Sequence, residues 1–566
     1  MTALIPFTNV MATEIADYVF KNGAIYTIES KVPKAEAIAV SGKKISYVGS
    51  NEGVTTFIGK NTQVVDLKGK MLLPGFVESH IHPTLAIVAS GADLSCDSVS
   101  EVLARVKTWA EAHPEAKIIQ GFGWRYTLFS TIGPNKADLD KLFPDKPVLL
   151  VAIDGHSAWV NSKALELAGI DAHTPDPAPG VSFFQRDPKN NEPTGWVVET
   201  LAEQQIFAKL NPPTPEAVIA AAAQKFQEFA TAGITALFDA GMGTIPTERG
   251  LEGYQQLEKE GKLPIRIVAC YYWNNSAITD PVDKVMALRK KFNSELVQAR
   301  TLKIMFDGGE AQHTAVLLQP YADQPGFHGE YSIHANLVKA SVLKAQANGI
   351  DTHAHCYGDA TVRTYLDAVE QARKAYPDSP SRHASAHNIF ISDADVPRFA
   401  KLNVTMQSSA QWAMPDPTIE RTSQIVGQDV AFREFFRHHA VLQAGGRVAF
   451  GTDWPASGYI VTYRPLDTLQ VAVTRKILPQ YGKDQFVPVL PPVDERITLD
   501  QALKAQTLDA AYVLGLEDMI GSLKVGKRAD LVILDKDLYT LPASEISTTK
   551  INFTMMNGKI THRDGI

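Results

Sequence analysis

A chain of 566 residues has room for about four average domains, or fewer if one of them is a large barrel. Its 62 acidic and 55 basic residues leave a net charge of −7 with no basic run, which argues against a surface built to track nucleic acid or an anionic membrane. No apolar stretch approaches the roughly 18 residues of a membrane span, residues 1–13 lack the charged start and apolar block of a signal peptide, and Cys96, Cys270 and Cys356 are too scattered for a disulfide framework or a cysteine zinc site. A cytoplasmic protein is expected.

Residues 17–66 read as a meander of short strands, Tyr18–Phe20, Ala24–Ile28, Ala37–Val40 and Ile45–Val48, separated by turn dipeptides. The C-terminus repeats the style with Ala529–Leu534 and Phe553–Met556 before Asn557-Gly558, a strong hairpin signal, so the two chain ends are expected to share one small β-sandwich. Between them, eight apolar runs alternate with amphipathic stretches: Gly75–His80, Ile234–Phe238, Ile265–Ala269, Leu302–Phe306, Gly349–His355, His383–Asn388, Val404–Met406 and Arg447–Gly451. Helices are predicted at Glu216–Ala232, Pro281–Phe292, Leu337–Asn348 and Ala360–Tyr376. The pattern is that of an α/β chain folded as a (β/α)8 TIM barrel. Residues 84–230, between runs one and two, are too many for a βα connection and read as an inserted cap with strands at Ile118–Trp124 and Val148–Ile153 and a turn-rich segment from Pro175 to Gly195. The expected division is 1–73 and 516–566 for the sandwich and 74–515 for the barrel with its cap.

Working residues of such a barrel lie at the C-terminal ends of its strands. Run one ends in His80-Ile81-His82, whose two imidazoles point the same way from an extended chain and can converge on one ion. Lys303 sits in an apolar run, where burial would lower its pKa and leave an amine able to react with carbon dioxide. His353 and His355 share a face of run five, as do His383 and His387 of run six. The later member of each pair lies nearer the rim, so His355 and His387 are the expected ligands, with His353 and His383 packed behind them. Asp453 follows run eight, where a carboxylate can bind a metal and accept a proton from its water.

Histidines on strands one, five and six, a lysine on strand four and an aspartate on strand eight resemble the metal-dependent amidohydrolase superfamily. Leu72–His82 is similar to its opening motif and Gly521–Val532 to its closing segment. Asp154–Leu165, Asp307-Gly308-Gly309, His355–Ala360 and Gly451–Pro455 resemble the YtcJ-like, or amidohydrolase 3, branch, which includes N-substituted formamide deformylases. The resemblance implies a site for one or two divalent ions, zinc above all. His80, His82 and Asp453 would hold the more buried ion, a carbamate on Lys303 would bridge, and His355 with His387 would hold the second. Two positions depart from the family pattern: Glu78 stands where aspartate is usual, and Ala386 replaces the glutamate that usually precedes the strand-six histidine.

The function expected is hydrolysis of a C–N bond in a non-peptide amide, an N-formyl, N-acyl or cyclic amide, by a metal-activated water with Asp453 moving the proton. Ester or lactone hydrolysis and decarboxylation use the same equipment, and an inactive barrel serving as a binding module is the reading from another class. Trp124 and His156 of the cap and His313 after strand four are candidates for substrate contact. The partner expected is a small-molecule amide, with no nucleic acid and no membrane. A homodimer is the candidate assembly.

Overall fold

The computed structural model describes residues 15–566 except 90, 131, 211–212, 244, 416, 457–461 and 481–488; the segment 1–13 read above lies outside the described residues. Eight parallel strands form the central sheet in unbroken chain order: Phe76–Ile81, Ile234–Asp239, Arg266–Trp273, Val297–Met305, Asp351–Cys356, His383–His387, Val404–Ser408 and Arg447–Phe450. Each overlaps one of the expected runs, but the third continues to Trp273 and the fourth begins at Val297, outside the runs Ile265–Ala269 and Leu302–Phe306. Most of these strands are buried along their whole length, which is why they read as apolar runs rather than as alternating patterns. Helices at Pro215–Thr231, Pro281–Lys291, Ala335–Ala347 and Asp359–Ala375 wrap the sheet within two residues of their predicted bounds.

The barrel closes between its first and last strands without a regular ladder. Asp453 N donates to His80 O at 2.8 Å, and His82 N donates to Trp454 O at 2.8 Å. Gly451 makes the approach possible, because a Cβ there would lie 2.3 Å from His80 N. Glu78 fastens the seam from below: its Oε2 accepts from Thr452 N at 2.8 Å and from Thr452 Oγ1 at 3.0 Å. The departure from aspartate at position 78 therefore has a visible consequence, a longer arm that ties strand one to the loop carrying Asp453.

The chain ends build two small sheets, one of Tyr18–Lys21, Ala37–Ser41, Lys44–Gly49 and Gln63–Asp66, the other combining Ala24–Tyr26, Lys34–Ala35 and Met71–Pro74 with Leu531–Leu534, Ile551–Met556 and Lys559–Arg563. Asn557 and Gly558, at φ 58° and 76°, make the tight hairpin that their dipeptide signals. A buried ion pair between Arg266 and Asp530 joins this sheet to the barrel.

The cap carries a six-stranded sheet of Ala92–Asp93, Ile119–Trp124, Val148–Ala152, Ser157–Val160, Pro193–Val198 and Phe183–Arg186. Its two expected strands are present and pair in parallel. The segment from Pro175 to Gly195 is not all turn, however. Phe183–Arg186 pairs antiparallel with Pro193–Val198, and the polar residues between them form a hairpin loop whose composition hid the flanking strands.

Candidate metal centre and its cavity

The C-terminal ends of the barrel strands open into a cavity of about 740 Å³, roofed by the cap and walled on the far side by the helix Pro417–Val426. At its floor, His80 Nε2 lies 3.3 Å and His82 Nε2 3.1 Å from Asp453 Oδ1. One donor atom from each of these three residues falls within 4.8 Å of the others, the arrangement of a metal trio. Lys303 Nζ is 3.2 Å from His80 Nε2, and its burial lowers the amine to a pKa of about 8. His355 and His387 line the same cavity with their rings 4.3 Å apart, and His387 Nδ1 is 3.7 Å from Asp453 Oδ2. All six expected ligands are thus brought to one floor.

Each ring is oriented from behind. His82 Nδ1 donates to Gly241 O at 3.0 Å, and His80 Nδ1 meets His353 Nε2 at 2.9 Å, so His353 takes the supporting position expected of it. His355 Nδ1 is held by Asp307 Oδ1 at 3.1 Å. Asp307 is itself fixed by Tyr357 N, Gly358 N, Val316 N and Thr361 Oγ1. Burial pushes this carboxyl up to about 6 against the pull of those donors. His383 packs away from the floor, bonded to Thr352 Oγ1 and Gln346 Oε1. His387 is the exception. Among the described residues neither ring nitrogen has a hydrogen-bond partner, its backbone sits at φ 70°, and its ring stacks on Trp412 at 5.5 Å. Asp453, at φ 61°, likewise leaves Oδ1 buried without a hydrogen-bond donor among the described residues. Buried imidazole nitrogens and a carboxylate oxygen left without partners are costly unless something binds them, and a divalent cation fits this donor set. Burial, reinforced by neighbouring charges, drives His80, His355 and His387 well below the usual histidine range, keeping them neutral as ligands must be.

The cap contributes His156 as expected. Its Nδ1 pairs with Glu199 Oε2 at 2.8 Å, its ring lies 5.4 Å from that of His355, and despite burial the carboxylate raises it to about 10. Glu199 is the residue sequence reasoning missed. It occupies φ 65°, its Oε1 accepts from Thr314 Oγ1 at 2.7 Å, and a Cβ at Gly308 would lie 2.1 Å from that same oxygen. A strained backbone and a glycine cleared for one carboxylate mark an imposed position. The only signal in the sequence was indirect, in Asp307-Gly308-Gly309, whose middle glycine makes the room. Asp154 accepts from Tyr126 Oη at 2.9 Å and from Gln312 Nε2 at 2.7 Å, tying the cap to the strand-four loop.

Two expected contacts are corrected. Trp124 is fully buried in the cap core, donating Nε1 to Leu150 O at 2.8 Å and packing on Tyr126 and Phe129, because a large ring on a central cap strand fills the sheet interior rather than the cavity. His313 turns outward at φ 61° to pair with Asp323 at 3.0 Å and does not line the cavity.

Among known proteins, residues 63–562 match the model of the amidohydrolase family. The chain is 28% identical over 567 residues to a putative amidohydrolase, YtcJ, of Bacillus subtilis, covering 96% of this chain and 99% of that one. It is 25% identical over 576 residues to an N-substituted formamide deformylase of Arthrobacter pascens, covering 97% and 99%. The crystal structure of an uncharacterized metal-dependent hydrolase from Pyrococcus furiosus superposes with a TM-score of 0.67 at 25% identity, over 92% of this chain and 99% of that one. The chain accordingly belongs to the amidohydrolase family of metal-dependent hydrolases, and at the mouth of its eight-stranded barrel His80, His82 and Asp453 form a group that could hold a metal ion.

Proposed function

We propose that this protein hydrolyses the C–N bond of a small non-peptide amide, an N-formyl or N-acyl amine, with zinc as the metal and a carbamate on Lys303. The observation that carries the reading is the floor itself: donors of His80, His82 and Asp453 within 4.8 Å, with Lys303 Nζ 3.2 Å from His80 Nε2. His80, His82 and Asp453 would hold one ion, His355 and His387 a second, and Lys303 would bridge. When bound, such an ion supplies Lewis-acid chemistry, lowering the pKa of water and polarising a carbonyl oxygen.

The chain's own residues do the rest. Lys303, with its pKa near 8, has a substantial neutral fraction at physiological pH; that amine adds to carbon dioxide with loss of one proton to give the carbamate. Asp453 faces the imidazoles and is placed to accept the proton of the attacking water and return it to the leaving nitrogen. His156, held cationic by Glu199 and with its ring 5.4 Å from that of His355, presents a donor to the acyl oxygen as negative charge gathers there. The apolar walls, with Phe122, Val151 and Ile153 of the cap facing Ile419, Ile425 and Phe436, suit a hydrocarbon substituent on the amide nitrogen. The relative in Arthrobacter pascens, an N-substituted formamide deformylase, supports the formyl end of this range. Cys96, Cys270 and Cys356 are all free and buried, which supports a reducing, cytoplasmic setting; among the described residues no helix is long and apolar enough to cross a membrane.

The test is elemental analysis of protein purified without chelator, followed by a product screen. One to two zinc ions per chain and release of formate or acetate with free amine are expected. Release of alcohol from esters alone, with no amide turnover, would overturn the C–N assignment.

A further inference from the structure

The carboxylates around the cavity are almost all accounted for. Glu199 is taken by His156 and Thr314, Asp154 by Tyr126, Gln312 and the backbone of His156, and Glu310 by Thr422 Oγ1 at 2.6 Å. Glu203 is not. It lines the cavity from the helix Thr200–Phe207 and is only 5% exposed, and among the described residues its Oε1 is buried with no hydrogen-bond partner. Burial, together with the like charges of Glu199 and Asp154, pushes this carboxyl well above its usual range, and His156 offsets that only in part.

The cations nearest to hand are committed elsewhere. His156 is paired with Glu199, Lys303 belongs to the floor, and Arg421 donates to the carbonyls of Tyr126 and Phe129. Glu203 lies in the first turn of the helix that follows Glu199, and its amide donates to Glu199 O at 3.2 Å. Thr200, Gln204 and Phe207 of the same helix and Tyr272 line the cavity with it. A carboxyl that faces a ligand cavity and whose buried oxygen meets no donor among the described residues is a half-made interaction, and the missing half is a donor carried by the ligand.

We infer that Glu203 is a recognition site for a cationic nitrogen, so that the amides this protein takes are mono-N-acylated or N-formylated diamines. The acylated nitrogen lies over the floor and the free ammonium binds Glu203. This rests on the proposed amide hydrolysis and adds the substrate class. The reaction releases the carboxylic acid and a diamine whose second amine is unchanged; the step that supplies such a substrate is an N-acylation of a diamine.

The test compares N-formyl diamines of increasing spacer length with N-formyl alkylamines of equal length, on metal-loaded wild-type protein and Glu203→Gln. The ratio of kcat/KM for the ammonium substrate to that for the neutral one is expected to favour the ammonium in the wild type and to fall by about 30-fold or more in Glu203→Gln. Because it is a ratio within one preparation, a partly misfolded variant does not mimic it. An unchanged ratio overturns the inference and would mean that Glu203 is a neutral acid, which glutamine replaces without loss.

Calorimetry with butylamine, an ammonium at neutral pH, and with the uncharged 1-butanol separates this inference from the reading beneath it. If neither formamide is hydrolysed, the amide assignment fails, and a wild-type preference for butylamine that Glu203→Gln abolishes still upholds the cationic site. Equal binding of the amine and the alcohol overturns it, and this wild-type comparison remains decisive if the variant cannot be purified.

Discussion

The two halves of the metal floor are built on different terms. On one side His80, His82 and Asp453 constrain one another: Asp453 N bonds to His80 O, His82 N bonds to Trp454 O, and each imidazole has an anchor behind it. On the other side His355 is anchored by Asp307, but among the described residues His387 has no hydrogen bond at either nitrogen and depends on the Trp412 stack and its own backbone for its orientation. The residue before it is Ala386, where a carboxylate could have served. One half is organised before any ion binds; the other is completed by what it binds.

The sharpest way to break that contrast is to remove one residue from each side. Asp453→Asn is expected to keep the fold and lose activity by about 10³-fold, since it removes both a ligand and the proton carrier. His387→Asn is expected to lose one ion per chain while retaining the one held by the His80 side. Elemental analysis with steady-state rates checks both, and equal metal loss in the two variants would show that the halves fill together. Lys303 lies between them. Lys303→Ala is expected to lower metal content and to cost activity on the order of 10²-fold, with partial recovery in millimolar acetate or propionate, whose carboxylate takes the place of the carbamate. Metal content equal to the wild type would remove Lys303 from the bridge.

The barrel and the floor were legible in the sequence, and the cap was legible only in part, for physical reasons. Strands buried on both faces leave continuous apolar runs, and a polar side chain that reaches the cavity floor is marked by its place at the end of a run, as His80, His82 and His387 are. The alternation of residues also ranked His355 above His353; in the structure His355 lines the cavity, whereas His353 Nε2 meets His80 Nδ1. Glu199 has no such mark. It is a single glutamate after a short cap strand, and its role depends on a distant glycine and threonine that only the fold brings to it. Trp124 misled for the converse reason, because an aromatic ring in a cap is equally at home in a core or at a wall, and only the pairing of Ile119–Trp124 between two neighbours settles which. Glu203 lies on an ordinary helix, where its lack of a partner is invisible until its surroundings are known.

Glu78 refines the comparison with the smallest effect. Burial raises its carboxyl to about 8, against the donors of Thr452 and Gln506, so the seam beneath the preorganised half is held by a group that is mostly protonated at neutral pH. In the unfolded chain the same glutamate titrates near 4.5. Between these values the folded state binds more protons than the unfolded one, so this group's contribution to stability is complete below about pH 4.5 and is lost as pH rises through about 8. Glutamine copies the protonated form in shape and cannot ionise. Glu78→Gln is therefore expected to match the wild type most poorly in acid and to gain on it steadily toward pH 9, at no more than about 1.4 kcal/mol per pH unit. Denaturant unfolding of metal-free wild type and variant across pH 5–9 reads the difference, which cancels the titration of the other buried groups. A difference that stays flat with pH would mean that Glu78 is already ionised in the folded protein, and that the seam is closed by a carboxylate rather than by a carboxylic acid.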